Sequence, residues 1–296
     1  QSGWGHPQVH FSDYISHPVG HGWHVERVAF EQILVQKAQE AGVAVNRGVE
    51  IRSANRVDQR WELVVKRSDG QIQEIEADFV VDASGRNAWL MRRLGIESLY
   101  VDRQLALTAF LQCPRGSISG GASLIEATAD GWWYSAPIPG DRMVTAFLCA
   151  PNADQRREWL DLAGWKRLLA NAPFTRQRLA RHAWEFEREP KFVAAASRIQ
   201  QRLTGEGWLA VGDAAMAYAP LASHSLQMAM VGGREAAKAI AGHFSGNGAA
   251  LGKYQELMYW AFHRYVEERT RLYAAERRFP GSPYWRERNG VELVGG

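Results

Sequence analysis

Residues Trp208 to Ile240 read WLAVGDAAMAYAPLASHSLQMAMVGGREAAKAI. Apolar residues lead into Gly212-Asp213. A loop follows with Pro220, Ala222, Ser223, His224 and Ser225, and then a long stretch of helical character. A strand, a Gly-Asp turn and a helix, in that order, suit the holding of a large anionic group. A glycine after a buried strand lets a ligand approach the backbone closely. Asp213 can accept hydrogen bonds from sugar-like hydroxyls. Small residues at 222–225 leave the first N–H groups of the next helix free to meet anions or carbonyl oxygens. The bland alternative is a turn aspartate ahead of a core helix, and the local pattern leaves both open.

A second stretch has the same physics. ADFVVDASGR, Ala77 to Arg86, is an apolar run that ends in Asp82, turns at Gly85 and offers Arg86 to a phosphate or a carboxylate. Such a run suits a strand buried on both faces of an α/β sheet. The other reading is a strand-to-helix corner with a surface arginine. Together the two stretches are more specific than either alone.

Working outward, Phe30, Ile33, Leu34, Ala38 and Ala41 recur at helical spacing before Gly42, which predicts an amphipathic helix. Trp61, Leu63 and Val65 alternate before the Ser68-Asp69-Gly70 turn, which predicts a hairpin with Ile72 in its second strand. Asn87 to Leu94 reads as helix. From Leu105 to Ala150 the texture becomes β-rich with glycine turns: an antiparallel sheet interrupting the α/β part. Residues 151–185 read as helical, with Trp165, Leu168 and Leu169 on one face. FVAAASRIQ reads as one strand, and Tyr254, Leu257, Met258, Phe262 and Tyr265 mark a long C-terminal helix. The fold class is therefore α/β with α+β elements.

The chain has 296 residues, 46% hydrophobic and 23% charged, an ordinary globular composition. A net charge of +3 without runs of like charge gives no case for a nucleic-acid partner. No apolar run approaches the roughly twenty residues of a membrane helix. Two cysteines, Cys113 and Cys149, make no disulfide framework; they read as core thiols in a reducing, cytoplasmic setting. Trp89 and Trp208, beside the two turns, read as core residues.

ADFVVDASGR, GWWYSAPIP (Gly131 to Pro139) and WLAVGDAAMAYAPLASHS resemble the flavin-dependent monooxygenase and halogenase superfamily with the p-hydroxybenzoate hydroxylase fold. GHGWHVERVAFEQIL resembles that superfamily's early arginine-bearing helix. AAERRFPGSPYWRER is similar to the branch with tryptophan-halogenase-like and peptidyl-tryptophan-hydroxylating proteins. The resemblance runs over nearly the whole chain in the family's order. It implies FAD as cofactor. Gly212 and Asp213 would meet the ribityl and pyrophosphate region. Pro220, Ala222, Ser223, His224 and Ser225 would lie along the isoalloxazine, with Arg27, Asp82, Gly85 and Arg86 also near the cofactor. Trp133, Tyr134 and Pro137, joined by His21 and His24, would line the substrate pocket. The implied reaction is hydroxylation of an indole-like ring, free or as a tryptophan of a partner protein, through a flavin C4a-hydroperoxide. Halogenation is the alternative, and a flavin reductase is an implied partner. The implied domains are a partial FAD-binding region (1–100), a substrate domain (101–190), the Gly-Asp part of the FAD region (191–245) and a helical C-terminal region (246–296).

The family's GxGxxG segment is not found. GHGWHV at Gly20 to Val25 lacks the third glycine and a preceding strand. The chain is expected to lack about ninety residues of the fold, a dinucleotide-binding βαβ unit and linker. FAD occupancy of this form is accordingly in doubt, and a non-catalytic binding protein is the competing expectation. Ser225 stands where relatives keep glycine, so its Cβ would crowd the flavin if φ had to be positive. His17, His21 and His24 have ligand-like spacing, but no cysteine joins them, and no metal ligand is assigned.

Overall fold

A computed structural model describes residues 1–11, 22, 24–118, 120–151, 157–222, 225–289 and 294–295. The strands needed below are β1 (Val49–Val57), β2 (Arg60–Arg67), β3 (Ile72–Ala77), β4 (Val80–Asp82), β5 (Leu105–Gln112), β6 (Leu124–Thr128), β7 (Gly131–Ile138), β8 (Arg142–Cys149), β9 (Arg198–Gln200) and β10 (Trp208–Ala210). The helices are α1 (Arg27–Glu40), α2 (Trp89–Arg93), α3 (Leu162–Ala170), α4 (Pro173–Leu179), α5 (Gly212–Ala215), α6 (Ser225–Phe244), α7 (Ala250–Ala274) and α8 (Pro283–Asn289). The chain divides into two compact units. One comprises Gln1–Leu34, Asp102–Ala195 and Arg269–Val291; the other comprises Val35–Val101, Ala196–Glu268 and Glu292–Gly296.

The first unit is built on a sheet in which β6, β7, β8 and β5 are successive antiparallel neighbours. Alternation along β7 divides its two tryptophans between the faces. Trp133 joins Leu107, Leu111, Met143 and Phe147 in a core closed by Trp165, Leu168 and Leu169 of α3 and Leu179 of α4. Trp132 points the other way, and its Nε1 donates to the Tyr273 hydroxyl at 3.1 Å. Asp161 caps α3 by accepting from the Gly164 amide at 2.7 Å. Pro173 opens α4, where its missing N–H costs nothing. Glu126, 1% exposed on β6, accepts from the amides of Phe174 and Thr175 at 3.0 and 2.6 Å and from Thr175 Oγ1 at 2.7 Å. A carboxylate from the sheet thus fixes where α4 begins.

The same unit buries a belt of charge. Arg269 pairs with Asp102, while Gln104 Oε1 accepts from Tyr273, Tyr284 and Arg288. Nearby in sequence, Glu276 accepts from the Gly5 amide and pairs with Arg278, which also donates to the Gly3 carbonyl. Burial by itself would raise the Glu276 carboxyl, but the Arg278 guanidinium and the backbone amides outweigh it and hold it below the ordinary glutamate range. A depressed carboxylate pKa contributes stability above the unfolded-state value, lost as pH falls through the folded-state value. Glu276→Gln is therefore expected to lower the melting temperature at pH 7, with the gap from the parent closing as melts are taken toward pH 3. A gap constant with pH would refute this account.

In the second unit β1, β2 and β3 form an antiparallel meander, the expected hairpin with one more strand. Trp61, 1% exposed, anchors it by donating to the Gly207 carbonyl at 2.7 Å. β4 runs parallel to β10, with Asp82 opposite Ala210, at the edge of a three-stranded sheet.

Several expectations are corrected. β4 is not covered on both faces: Val81 is 42% exposed, because side chains alternate and no described layer packs on its side. FVAAASRIQ is not one strand. Lys191–Ala194 pairs with β5, and Arg198–Gln200 belongs to a different sheet. The helix around Phe30 to Ala38 forms as α1, but its apolar residues do not segregate to one side and none is buried. Cys113 and Cys149 are buried thiols that form no disulfide, and Trp208 is buried, as expected. Trp89 is only partly covered, with the Arg93 guanidinium 5.8 Å from its ring centre.

Candidate functional site

The two turns that the sequence singled out leave adjacent parallel strands. β4 ends at Asp82 and β10 ends two residues before Gly212, and the Val211 amide donates to the Asp82 carbonyl at 2.9 Å. Parallel strands with side-by-side ends bring their outgoing turns together, the usual place for a ligand in an α/β sheet.

Each turn is held by its own polar groups. Asp82 is 5% exposed. Its Oδ1 accepts from the Ser84 amide at 2.9 Å, and Oδ2 from the amides of Leu90 and Met91 at 2.9 and 3.3 Å. Both oxygens are engaged with backbone, so Asp82 shapes the turn and starts α2. The Ser84 hydroxyl accepts from the Trp89 amide. Gly85 turns at φ +68°, and a Cβ there would meet no described residue within 4 Å. Gly212 turns at φ +55°, and its nearest neighbour to a Cβ would be Ala229 at 3.8 Å. At both glycines the backbone lies open on the side where a side chain would project.

Arg86 crosses between the turns. Its two Nη atoms donate to the carbonyls of Ala196 and Tyr218 at 2.7 and 2.8 Å, and its Nε lies 3.3 Å from Asp213 Oδ2. Arg198, on β9, donates to the Arg86 carbonyl and to Ser98 Oγ, both at 2.6 Å. Burial pushes the Arg198 guanidinium down from its ordinary value, with Tyr100 opposing the shift and Arg86 adding to it. Arg86 is thus fixed by carbonyls, and Asp213, with its side chain 32% exposed, keeps an oxygen free of that contact. The Ala219 amide before Pro220 donates to the Tyr265 hydroxyl at 2.9 Å. The loop is tied down just before Pro220–Ala222 turns into a short 3₁₀ segment.

These features fit the pyrophosphate and polyol part of a dinucleotide. The turns are open, the backbone is close, an arginine is pre-positioned, and a half-exposed carboxylate can accept from hydroxyls. Among the expected cofactor residues, Asp82, Gly85, Arg86, Gly212 and Asp213 are brought together. Pro220 follows on the same unit, and Ser225 is the first residue of α6. Ser223 and His224 lie outside the described residues, as does the side chain of Ala222. Arg27 belongs to the sheet unit, where it is exposed and pairs with Glu31 of its own helix.

The expected substrate residues divide. Trp133 is fully buried in the core of the sheet unit, so it offers no surface to a substrate. Tyr134 is half-buried, and burial pushes its phenol up against the opposing pull of Arg178. Pro137 lines a cavity. His24 is half-buried, and His17 and His21 lie outside the described residues. Sequence reasoning missed Arg198, whose link to Arg86 runs through a carbonyl 112 residues away in the chain. It also missed Tyr265, read only as one apolar position of a helix.

The sequence model for tryptophan halogenase matches residues 8–294. A protein of Marinomonas mediterranea named as FAD-dependent oxidoreductase LodB is 26% identical over 281 residues, covering 93% of this chain and 73% of its own. Among solved structures, the flavin-dependent halogenase CmlS superposes with a TM-score of 0.83 at 23% identity, over 98% of this chain and 55% of its own. The peptidyl tryptophan dihydroxylase QhpG superposes with a TM-score of 0.74 at 21% identity, over all of this chain and 71% of its own. The chain therefore has the fold of these flavoproteins and spans little more than half of the CmlS chain. No helix among the described residues is long and apolar enough to cross a membrane.

Proposed function

The chain belongs to the tryptophan halogenase family, and from that premise we propose that it is a flavin-dependent oxidoreductase acting on an electron-rich, indole-like ring. The observation that carries the proposal is the pair of open turns at Gly85 and Gly212, with Arg86 held between them and against Asp213. FAD, when bound there, supplies the activation of O₂ that amino-acid side chains cannot provide. The residues of this chain supply position. Gly212 lets the cofactor reach the backbone, Asp213 orients its hydroxyls, and Arg86 faces its negative charge.

Halogenation is the reading that the family match supports first. Hydroxylation of a tryptophan side chain in a partner protein, the outcome expected from the sequence, is the second. It is supported by the superposition with the peptidyl tryptophan dihydroxylase. A flavin reductase delivering reduced flavin is part of either proposal.

The test begins with flavin binding to the purified chain, read by fluorescence quenching of added FAD. Asp213→Ala is expected to weaken FAD by about ten- to a hundredfold, the value of a charge-assisted hydrogen bond. The chain is then supplied with FAD, a reductase, O₂ and chloride, and is offered tryptophan and a tryptophan-containing peptide. Mass spectrometry distinguishes replacement of hydrogen by chlorine from insertion of oxygen. A chain that binds no FAD and gives neither product would favour the non-catalytic binding protein.

A further inference from the structure

The sheet unit contains a cavity of about 580 Å³, a volume suited to a small organic ligand. Its floor is apolar: Leu124 of β6, Pro137 of β7, Met143 of β8 and Phe174 of α4. One side is cationic, with Arg178, Arg181 and His182 at the end of α4 and just beyond it. Among the described residues no aspartate or glutamate lines the cavity.

The key group is Arg178. It is half-buried, and among the described residues its Nη atoms donate to backbone carbonyls alone, those of Ala122 and of Ser135, the latter at 3.4 Å. Among the described residues no carboxylate lies within ion-pair distance of it. Its neighbour Arg181 is a second cation. A half-buried guanidinium beside another positive charge, without a counter-ion, is an arrangement that an anion stabilises. The other buried or half-buried arginines of this unit do not share the pattern: Arg269 has Asp102, Arg278 has Glu276 and Arg142 has Glu187. Arg288 contacts Gln104 and stacks on the Tyr284 ring. Ser135, fully buried and opposite the cavity residue Leu124 in the sheet, has a hydroxyl without a hydrogen-bond partner among the described residues.

We propose that this cavity binds an organic oxyanion with a flat apolar body, its carboxylate or phosphate at Arg178 and Arg181 and its body on Pro137, Met143 and Phe174. A guanidinium presents two parallel donors to either head group. The apolar floor selects against inorganic anions, since their binding would leave that surface uncovered. The site lies within one unit and needs no flavin, so it stands or falls independently of the proposed oxidoreductase activity.

Isothermal titration calorimetry on the full chain, without flavin, tests the inference with three ligands that share one body: 2-naphthoate, 2-naphthyl phosphate and 2-naphthamide. At least one anion is expected to bind about tenfold or more tightly than the neutral amide. Whichever anion binds identifies the head group. Arg178→Gln is expected to weaken that anion by about tenfold, and the exposed Arg181→Gln by about threefold, while the amide is unaffected. Should Arg178→Gln fail to fold, Arg181→Gln carries the test, because Arg181 is exposed and its side chain makes no hydrogen bond or ion pair among the described residues. Binding of neither anion, equal binding of the amide, or full affinity in the folded variants would overturn the proposal.

Discussion

Gly164→Ala is expected to destabilise the sheet unit by about 3 kcal/mol or more. Helix propensity alone gives the opposite sign, since alanine is favoured over glycine in a helix by about 1 kcal/mol. Packing decides. A Cβ on Gly164 would stand 1.4 Å from the Glu158 carbonyl oxygen, 2.5 Å from its carbon and 3.3 Å from the Trp159 Cα. These are backbone atoms, so no side-chain rotation relieves the contact. The short turn Arg157–Trp159 would have to lift off α3. Trp159 would move with it, away from Phe147, whose ring centre is 5.8 Å from its own. Urea unfolding followed by tryptophan fluorescence checks this, with the exposed Lys166→Ala as control. A variant as stable as the parent would show that turn and helix are not packed as described.

Asp102→Ala is expected to cost about 3–5 kcal/mol. The Asp102 and Arg269 side chains are 2% and 1% exposed. Removing the carboxylate takes from the buried guanidinium the counter-charge that Asp102 supplies, while its stacking on the Tyr273 ring at 4.4 Å remains. Replacing both partners, Asp102→Leu with Arg269→Met, is expected to recover most of the loss, because the desolvation cost of both charges then disappears. Thermal denaturation of Asp102→Leu, of Arg269→Met and of the double variant measures the coupling. Additive losses would mean that the pair contributes no interaction of its own.

Much of the secondary structure was legible because it rests on local rules. Alternation gave the hairpin around Trp61, and β-rich texture between glycine turns gave the antiparallel sheet that runs from Leu105 to Cys149. The period of Tyr254, Leu257, Met258, Phe262 and Tyr265 gave the long helix; four of the five are buried, while Leu257 is 41% exposed. The two turns were legible from glycine placement, and Gly85 and Gly212 do take the left-handed conformation that favours glycine. α1 shows the limit. A spacing argument chose five apolar residues and overlooked Val28 and Val35, which point elsewhere around the axis.

The candidate site was legible in its parts and not in its connections. Asp82 stood out as a possible cofactor ligand, yet both its oxygens are occupied by amides two, eight and nine residues further on. Arg86 stood out as a free cation, yet it is fixed by carbonyls 110 and 132 residues away. Arg178 carried no signal at all, since PFTRQRLARH reads as an ordinary basic helix end.

By itself the sequence determined most of the order of strands, turns and helices, and the motifs that carry the family resemblance, because those features depend on residues close together in the chain. The tertiary structure alone decided which polar groups are already satisfied and which remain available. That choice rests on burial and on hydrogen-bond partners from distant segments. A buried carboxylate or guanidinium finds its partner in space, and neighbours along the chain do not reveal which one it will be.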